Sequence, residues 1–257
     1  SALARYFLFQ TSSNWGVSRQ EVHVEELGRL PFPMPDVSPT PQRAWEIVRD
    51  VARIVTSAAS SATEDLVDRE DLVRVASVSI ETLIDEYFDI LPLEKAVVND
   101  TVNVIIPSVR PTRKRPVVPT IDPSKETQRN DYVNRVCETL NGWAKSGPFI
   151  VQGYAGASVK LGIGVAVLQK VRFGAVNSTP PQDLRNLLTA LDRLRNLTSQ
   201  KLNTFELIRG AKVFDRDSLY IVKPIGQRFW TQTAALNDAD EVASTILMRT
   251  PQGVAWP

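Results

Sequence analysis

The residues best suited to chemistry in this chain gather toward its carboxyl end. Gln227, Arg228, Phe229 and Trp230 set a hydrogen-bonding amide, a guanidinium and two aromatic rings beside Gly226, with Lys223 just upstream. Such a group can stack on an extruded base or contact phosphate, and it suits equally a strand-to-helix corner packed by Trp230. A second group, Arg113, Lys114 and Arg115, stands between prolines. Three cations on an extended segment would track a phosphate backbone and give binding a salt dependence. The same residues also read as a solvated linker.

Bond-making chemistry finds little support. Nucleophilic catalysis needs a base near the nucleophile, and His23, the only histidine, lies in a connector near the start. Cys137 follows Val136 in a predicted helix, which makes it a small buried hydrophobe rather than a reactive thiolate. Gly153, Gly156, Gly162 and Gly164 lack the Lys-Ser or Lys-Thr of a phosphate-cradling loop, so turn or close-packing roles fit them better. Asp238, Asp240 and Glu241 read as a helix-start capping device rather than a metal cluster. The expectation is no catalytic residue, no metal and no cofactor in this chain.

Composition narrows the partners. The 30 basic and 29 acidic residues nearly cancel, so a polyanion site has to be a local patch. Between Lys170 and Arg228 basic residues do outnumber acidic ones. A single cysteine allows no internal disulfide and fits a reducing cytoplasm. No apolar run approaches the roughly 20 residues that span a bilayer, so no membrane partner is expected. The chain opens on Ser1, in an apolar helical pattern without a signal-peptide layout, and reads as a fragment of a longer polypeptide.

The elements that would position these residues follow from periodicity. Ala2 to Gln10 is a short apolar run, helix or strand, with helix favoured by Ser1 as a cap. The prolines of Leu30 to Pro35 impose an extended connector. From Pro41 an amphipathic helix places Trp45, Val48, Val51, Ile54 and Val55 on one face. A second, about Ser79 to Ile90, buries Ile80, Leu83, Ile84, Tyr87 and Phe88, turns Glu81, Asp85 and Glu86 to water, and ends at Leu91-Pro92.

The proline-rich stretch 107–123 is the expected linker between a helical region, 1–106, and an α+β domain, 124–257. In the latter, Ser124 to Trp143 is predicted helical. Phe149 to Tyr154 and Ser158 to Arg172 are predicted strands around a Gly-rich turn. A helix opens at Thr179-Pro180-Pro181 with a stripe of Leu184, Leu187, Leu188, Leu191 and Leu194. Ser218 to Val222 alternates as a strand. A last helix is expected near Asn237 or Asp238, where Asp238 and Glu241 have capping-box spacing. The fold class is α+β, an amino-terminal helical layer followed by a mixed strand-helix unit.

Three stretches carry a resemblance: RYFLFQTSSNWGVSRQEVHVEELGRLPFPMPD from Arg5 to Asp36, IDEYFDILPLEKAVVNDTVNVIIPSVRP from Ile84 to Pro111, and LYIVKPIGQRFWTQTAALNDADEVASTIL from Leu219 to Leu247. Together they resemble the carboxy-terminal part of large bacterial N6-adenine DNA methylases of restriction-modification or phage-defence systems. The pattern Lys223-Pro224, Arg228, Trp230, Ala235-Leu236 and Asp238-Ala239-Asp240 is its most specific part. The first stretch also looks like the end of a target-recognition domain running through Leu-Pro-x-Pro into a spacer helix.

The resemblance implies that the catalytic half, with its S-adenosylmethionine fold, precedes these stretches in the parent polypeptide. This chain would then be a non-catalytic DNA-recognition or scaffold part, with DNA and the methyltransferase catalytic domain or subunit as partners. Methyl transfer to a flipped adenine also needs an Asp- or Asn-Pro-Pro-aromatic loop. The only Pro-Pro pair, Pro180-Pro181, is followed by Gln182. The alternative is a protein-interaction module that docks on a methylase or defence subunit through Ala2 to Phe9 and Leu30 to Met34 without binding DNA.

Overall fold

The computed structural model describes residues 1–12, 23–64, 69–109, 122–144, 147–173, 210–215 and 218–249, without the side chains of 61–64, 69–73, 215 and 249. The chain is α+β and divides into two compact units, Ser1–Arg110 and Pro111–Pro257. The division falls inside the expected linker, although Pro107 to Val109 close a helix rather than begin an extended segment.

In the first unit, α1 (Ala2–Thr11) is helical. Ser1 Oγ accepts from the Ala4 N–H at 3.2 Å. Glu81, expected in water, instead accepts from the Ala2 N–H with both carboxylate oxygens, at 2.8 and 2.9 Å. The freed donors at a helix start favour such an anion. After the short helix α2 (Val24–Leu27), the proline strap docks through Phe32, whose ring stacks on Tyr87 at 5.1 Å. The Tyr87 hydroxyl donates to the Pro33 carbonyl.

Helices α3 (Pro41–Glu64) and α4 (Arg69–Tyr87) pack against each other. The inward face of α3 holds Ala44, Ile47, Val48, Val51 and Ile54, whereas Trp45 and Val55 are 41% and 51% exposed. Trp45 sits about 100° around the helix from Ala44, and its indole N–H donates to Asp36 Oδ1 at 2.9 Å. Past Asp89, at φ 49°, Pro92 opens α5 (Pro92–Asp100). That helix runs through a π-helical turn, Thr101–Ile105, into α6 (Ile106–Val109), a helical run not anticipated from periodicity. Leu8, Val98 and Val102 are buried where α1 meets this run.

The second unit contains α7 (Glu126–Trp143), β1 (Phe149–Ser158), β2 (Ile163–Arg172), β3 (Ala211–Asp215), β4 (Ser218–Pro224) and α8 (Gln232–Arg249). The sheet is antiparallel with order β1-β2-β4-β3. Helix α7 packs on β1 and β2 and beside α8. Strand alternation turns Ala166, Leu168, Leu219 and Ile221 toward Tyr132, Val133 and Val136 of α7 and Ala235, Ala239 and Val242 of α8. Val165 and Val167 take the opposite face, beside Tyr154, Tyr220 and Val222.

Three sequence expectations change here. The turn between the first two strands is not at Ala155 to Ala157, around Gly156, which lie inside β1, but at Val159 to Gly162. A Cβ on Gly153 would come within 2.4 Å of Val133 Cγ1 and 2.8 Å of Leu168 Cδ2. That glycine permits the close approach of α7, while Gly162, at φ +67°, serves the turn.

The last helix starts at Gln232, where Thr231 Oγ1 accepts from the Ala234 N–H at 3.1 Å, so Asp238 lies within the helix and caps nothing. Strand β3 was not expected. The helix expected from Thr179 and the basic group Arg113, Lys114 and Arg115 lie outside the described residues. Among the described residues no helix is long and apolar enough to cross a membrane.

Candidate functional site

Strand parity decides where the corner residues point. In β4, Leu219, Ile221 and Lys223 share the face that meets the helices, so Lys223 enters the interior and is 6% exposed. It was expected to face a polyanion; its ammonium is instead paired with Asp238 of α8. The Tyr132 hydroxyl of α7 donates to the same Asp238 Oδ2 at 2.6 Å, and Lys223 Nζ lies 4.7 Å from the centre of the Tyr132 ring. From β3, Lys212 Nζ reaches Asp238 Oδ1 at 2.9 Å and Glu241 Oε2 at 2.5 Å.

Asp238 therefore joins β3, β4, α7 and α8 through both of its oxygens. Burial acts to raise its carboxyl, but Lys223, the Tyr132 hydroxyl and Lys212 outweigh burial and hold it below the ordinary carboxylate value. Burial, with Asp238 adding to it, raises the Tyr132 phenol above its usual range. Burial pulls Lys212 down, and the bonds to Glu241 and Asp238 more than restore it. Two ammonium groups engage Asp238 and Glu241 in the way a cation would. A cavity of about 70 Å³ in this unit lies away from the network, among Leu140, Val151, Leu168 and Ile246. The network has the form of a structural weld.

Trp230 is interior too, at 2% exposed. Its indole N–H donates to the Pro224 carbonyl at 2.9 Å, and its ring meets Tyr132 edge-on at 5.1 Å between centroids. A Cβ on residue 164 would fall 2.4 Å from Trp230 Cζ2, which accounts for glycine there. Trp230 thus packs the corner and is not free to stack on a base.

What remains at the surface is the turn Gln227–Phe229. Gln227 is half-buried and Arg228 exposed, its guanidinium 4.5 Å from the centre of the Phe229 ring. Backbone bonds tie this turn to two other loops. The Gln227 N–H donates to the Asp122 carbonyl at 2.9 Å, the Ser124 N–H to Ile225 at 2.7 Å, and the Ile225 N–H to Gly162 at 2.9 Å. The three loops place Lys125, Lys160 and Arg228, all exposed, at one end of the sheet.

Comparison with protein-family models, curated proteins and solved structures finds no match in any of the three. Lys125 and Lys160 were not singled out from the sequence, because each is isolated there and only the loop pairing brings it near Arg228. Cys137, packed against Gly153, has its thiol pushed up to about 12, chiefly by burial and then by Glu138. His23 precedes α2, its backbone N–H donating to Glu26 Oε2 at 3.1 Å.

Proposed function

We propose that this chain is a non-catalytic part of an N6-adenine DNA methyltransferase of a restriction-modification or phage-defence system, serving to hold DNA or to brace the recognition and catalytic parts. The family reading rests on the resemblance of the three stretches above. The observation that supports DNA contact is the convergence of Lys125, Lys160 and Arg228 on three loops joined by backbone hydrogen bonds. Asp122 and Glu126 stand at the same end and reduce its field, so weak, salt-sensitive binding to phosphates is the mode this surface fits. S-adenosylmethionine would belong to the preceding catalytic half, with the cytoplasm as the compartment.

Titration of a labelled duplex with the full chain at several salt concentrations tests this. Log affinity should fall linearly with log salt, and Arg228→Ala should reduce the slope by about 1. Absence of binding at low salt, or affinity that survives high salt, would refute DNA contact.

The second reading, a docking module without DNA affinity, draws on the half-exposed strap, where Phe32 and Met34 are 53% and 59% exposed. It requires no DNA shift at any salt concentration and association through the first unit.

A further inference from the structure

Strand β1 ends the sheet, so its outer edge has no strand partner among the described residues. The direction of its backbone groups follows from three hydrogen bonds. The Phe173 N–H donates to the Pro148 carbonyl at 2.9 Å, across the β1–β2 register. The Asn141 side-chain amide takes both groups of Val151, donating to its carbonyl at 3.0 Å and accepting from its N–H at 2.7 Å. Even-numbered residues of β1 therefore bond toward β2 and odd-numbered ones point outward. Beyond the plug that Asn141 sets on Val151, the N–H and C=O groups of Gly153, Ala155 and Ala157 line the outer edge.

Sheet edges are ordinarily shielded by charge, proline or cover. Phe149 to Ser158 contains no charged residue and no proline. Helix α7 follows the same edge. Val133 and Cys137 close on Gly153, and Asn141 reaches Val151. Asn134 and Asn130 continue the Asn141 flank at helical spacing toward the other end of β1, and both are exposed. The outward backbone groups thus run along a helix flank that carries three side-chain amides, each able to donate and to accept, with the carboxylate of Glu138, which is paired with Arg135, beside them.

We propose that this edge is a strand-addition site, at which an extended segment of a partner protein pairs with Gly153 to Ala157 as a further strand, flanked by Asn130 and Asn134. A second copy of this chain is a poor occupant. Antiparallel self-pairing would bring its own α7 onto the same face over strands about 4.8 Å apart, whereas packed helices need about 8–10 Å. A lone extended segment brings no helix. Gly153, Ala155 and Ala157 offer no side-chain pocket, so recognition reads the partner's main chain: an extended, uncharged stretch with free N–H groups. The inference stands on this geometry and not on the DNA reading.

Amide hydrogen exchange on the full chain tests it, the probe being a synthetic peptide with blocked ends copying Ile163 to Gln169 of this chain, a stretch without charged side chains. The Gly153, Ala155 and Ala157 amides should exchange freely in the protein alone and be protected as peptide is added. The same peptide N-methylated at alternate residues should give no protection. Ala157→Pro removes one outward donor and should weaken peptide binding roughly tenfold. If that variant fails to fold, as judged by circular dichroism, the N-methylated arm still decides. Protection of the three amides in the protein alone, whether independent of concentration or growing with it, would overturn the proposal. Protection elsewhere, or none at saturating peptide, would overturn it equally.

Discussion

The indole of Trp230 occupies the space that a side chain on residue 164 would need, with Cζ2 2.4 Å from the ideal Cβ position. The ring is held there by its bond to the Pro224 carbonyl and its edge contact with Tyr132. Gly164→Ala should therefore force the indole from its place and destabilise the protein by about 1–3 kcal/mol. Urea denaturation should show a lower midpoint at unchanged slope. Gly142→Ala is the control: no atom lies within 4 Å of its ideal Cβ, and it sits in the last turn of α7, so it should be neutral or slightly stabilising. Equal losses from both substitutions would contradict this packing.

Asp238 neutralises a lysine that is almost wholly interior. Asp238→Asn should cost about 3–5 kcal/mol, because it leaves the Lys223 ammonium buried without a counter-charge. Adding Lys223→Met should recover much of that loss, since an apolar chain of similar length replaces the stranded ion. A double variant as unstable as Asp238→Asn alone would show that the charge pair is not the source of the loss.

The same carboxylate sets an acid limit. Its carboxyl is held below the value of 3.8 that an unperturbed aspartate takes. A depressed carboxyl contributes stability that is fully present above the unfolded value and is lost as pH falls through the folded one. Thermal melts should therefore show a drop below about pH 4 that is smaller in the Asp238→Asn, Lys223→Met double variant. An identical acid limb in both proteins would remove Asp238 from the explanation.

Cys137 should be inert while the protein is folded. With its thiol pushed up to about 12, alkylation by iodoacetamide at pH 8 should be roughly a thousandfold slower than for a free cysteine. Denaturant should restore ordinary reactivity. Rapid labelling of the native protein would show that α7 opens over Gly153 far more readily than its packing implies.

Much of the architecture could be read locally. Pro41 opening a helix, the Leu91-Pro92 stop and the alternation of Ser218 to Val222 all belong to short windows, where proline geometry and side-chain period act directly. The errors share one cause. Ala155-Gly156-Ala157 resembles a turn only when its pairing partners Gly164 to Ala166 on β2 are out of view. The acids Asp238 and Glu241 resemble a helix cap only when the lysines of β3 and β4 are.

By itself, then, the sequence determined the α+β class and most of the helix and strand positions among the described residues, because these depend on near neighbours. Only the tertiary structure decided that Lys223 and Trp230 turn inward while Lys125, Lys160 and Arg228 share a surface. It alone showed that β1 has no strand partner along one edge among the described residues. A side chain's burial and a strand's free edge depend on what packs opposite them, and those partners lie as far away in the chain as Tyr132 from Asp238, 106 residues.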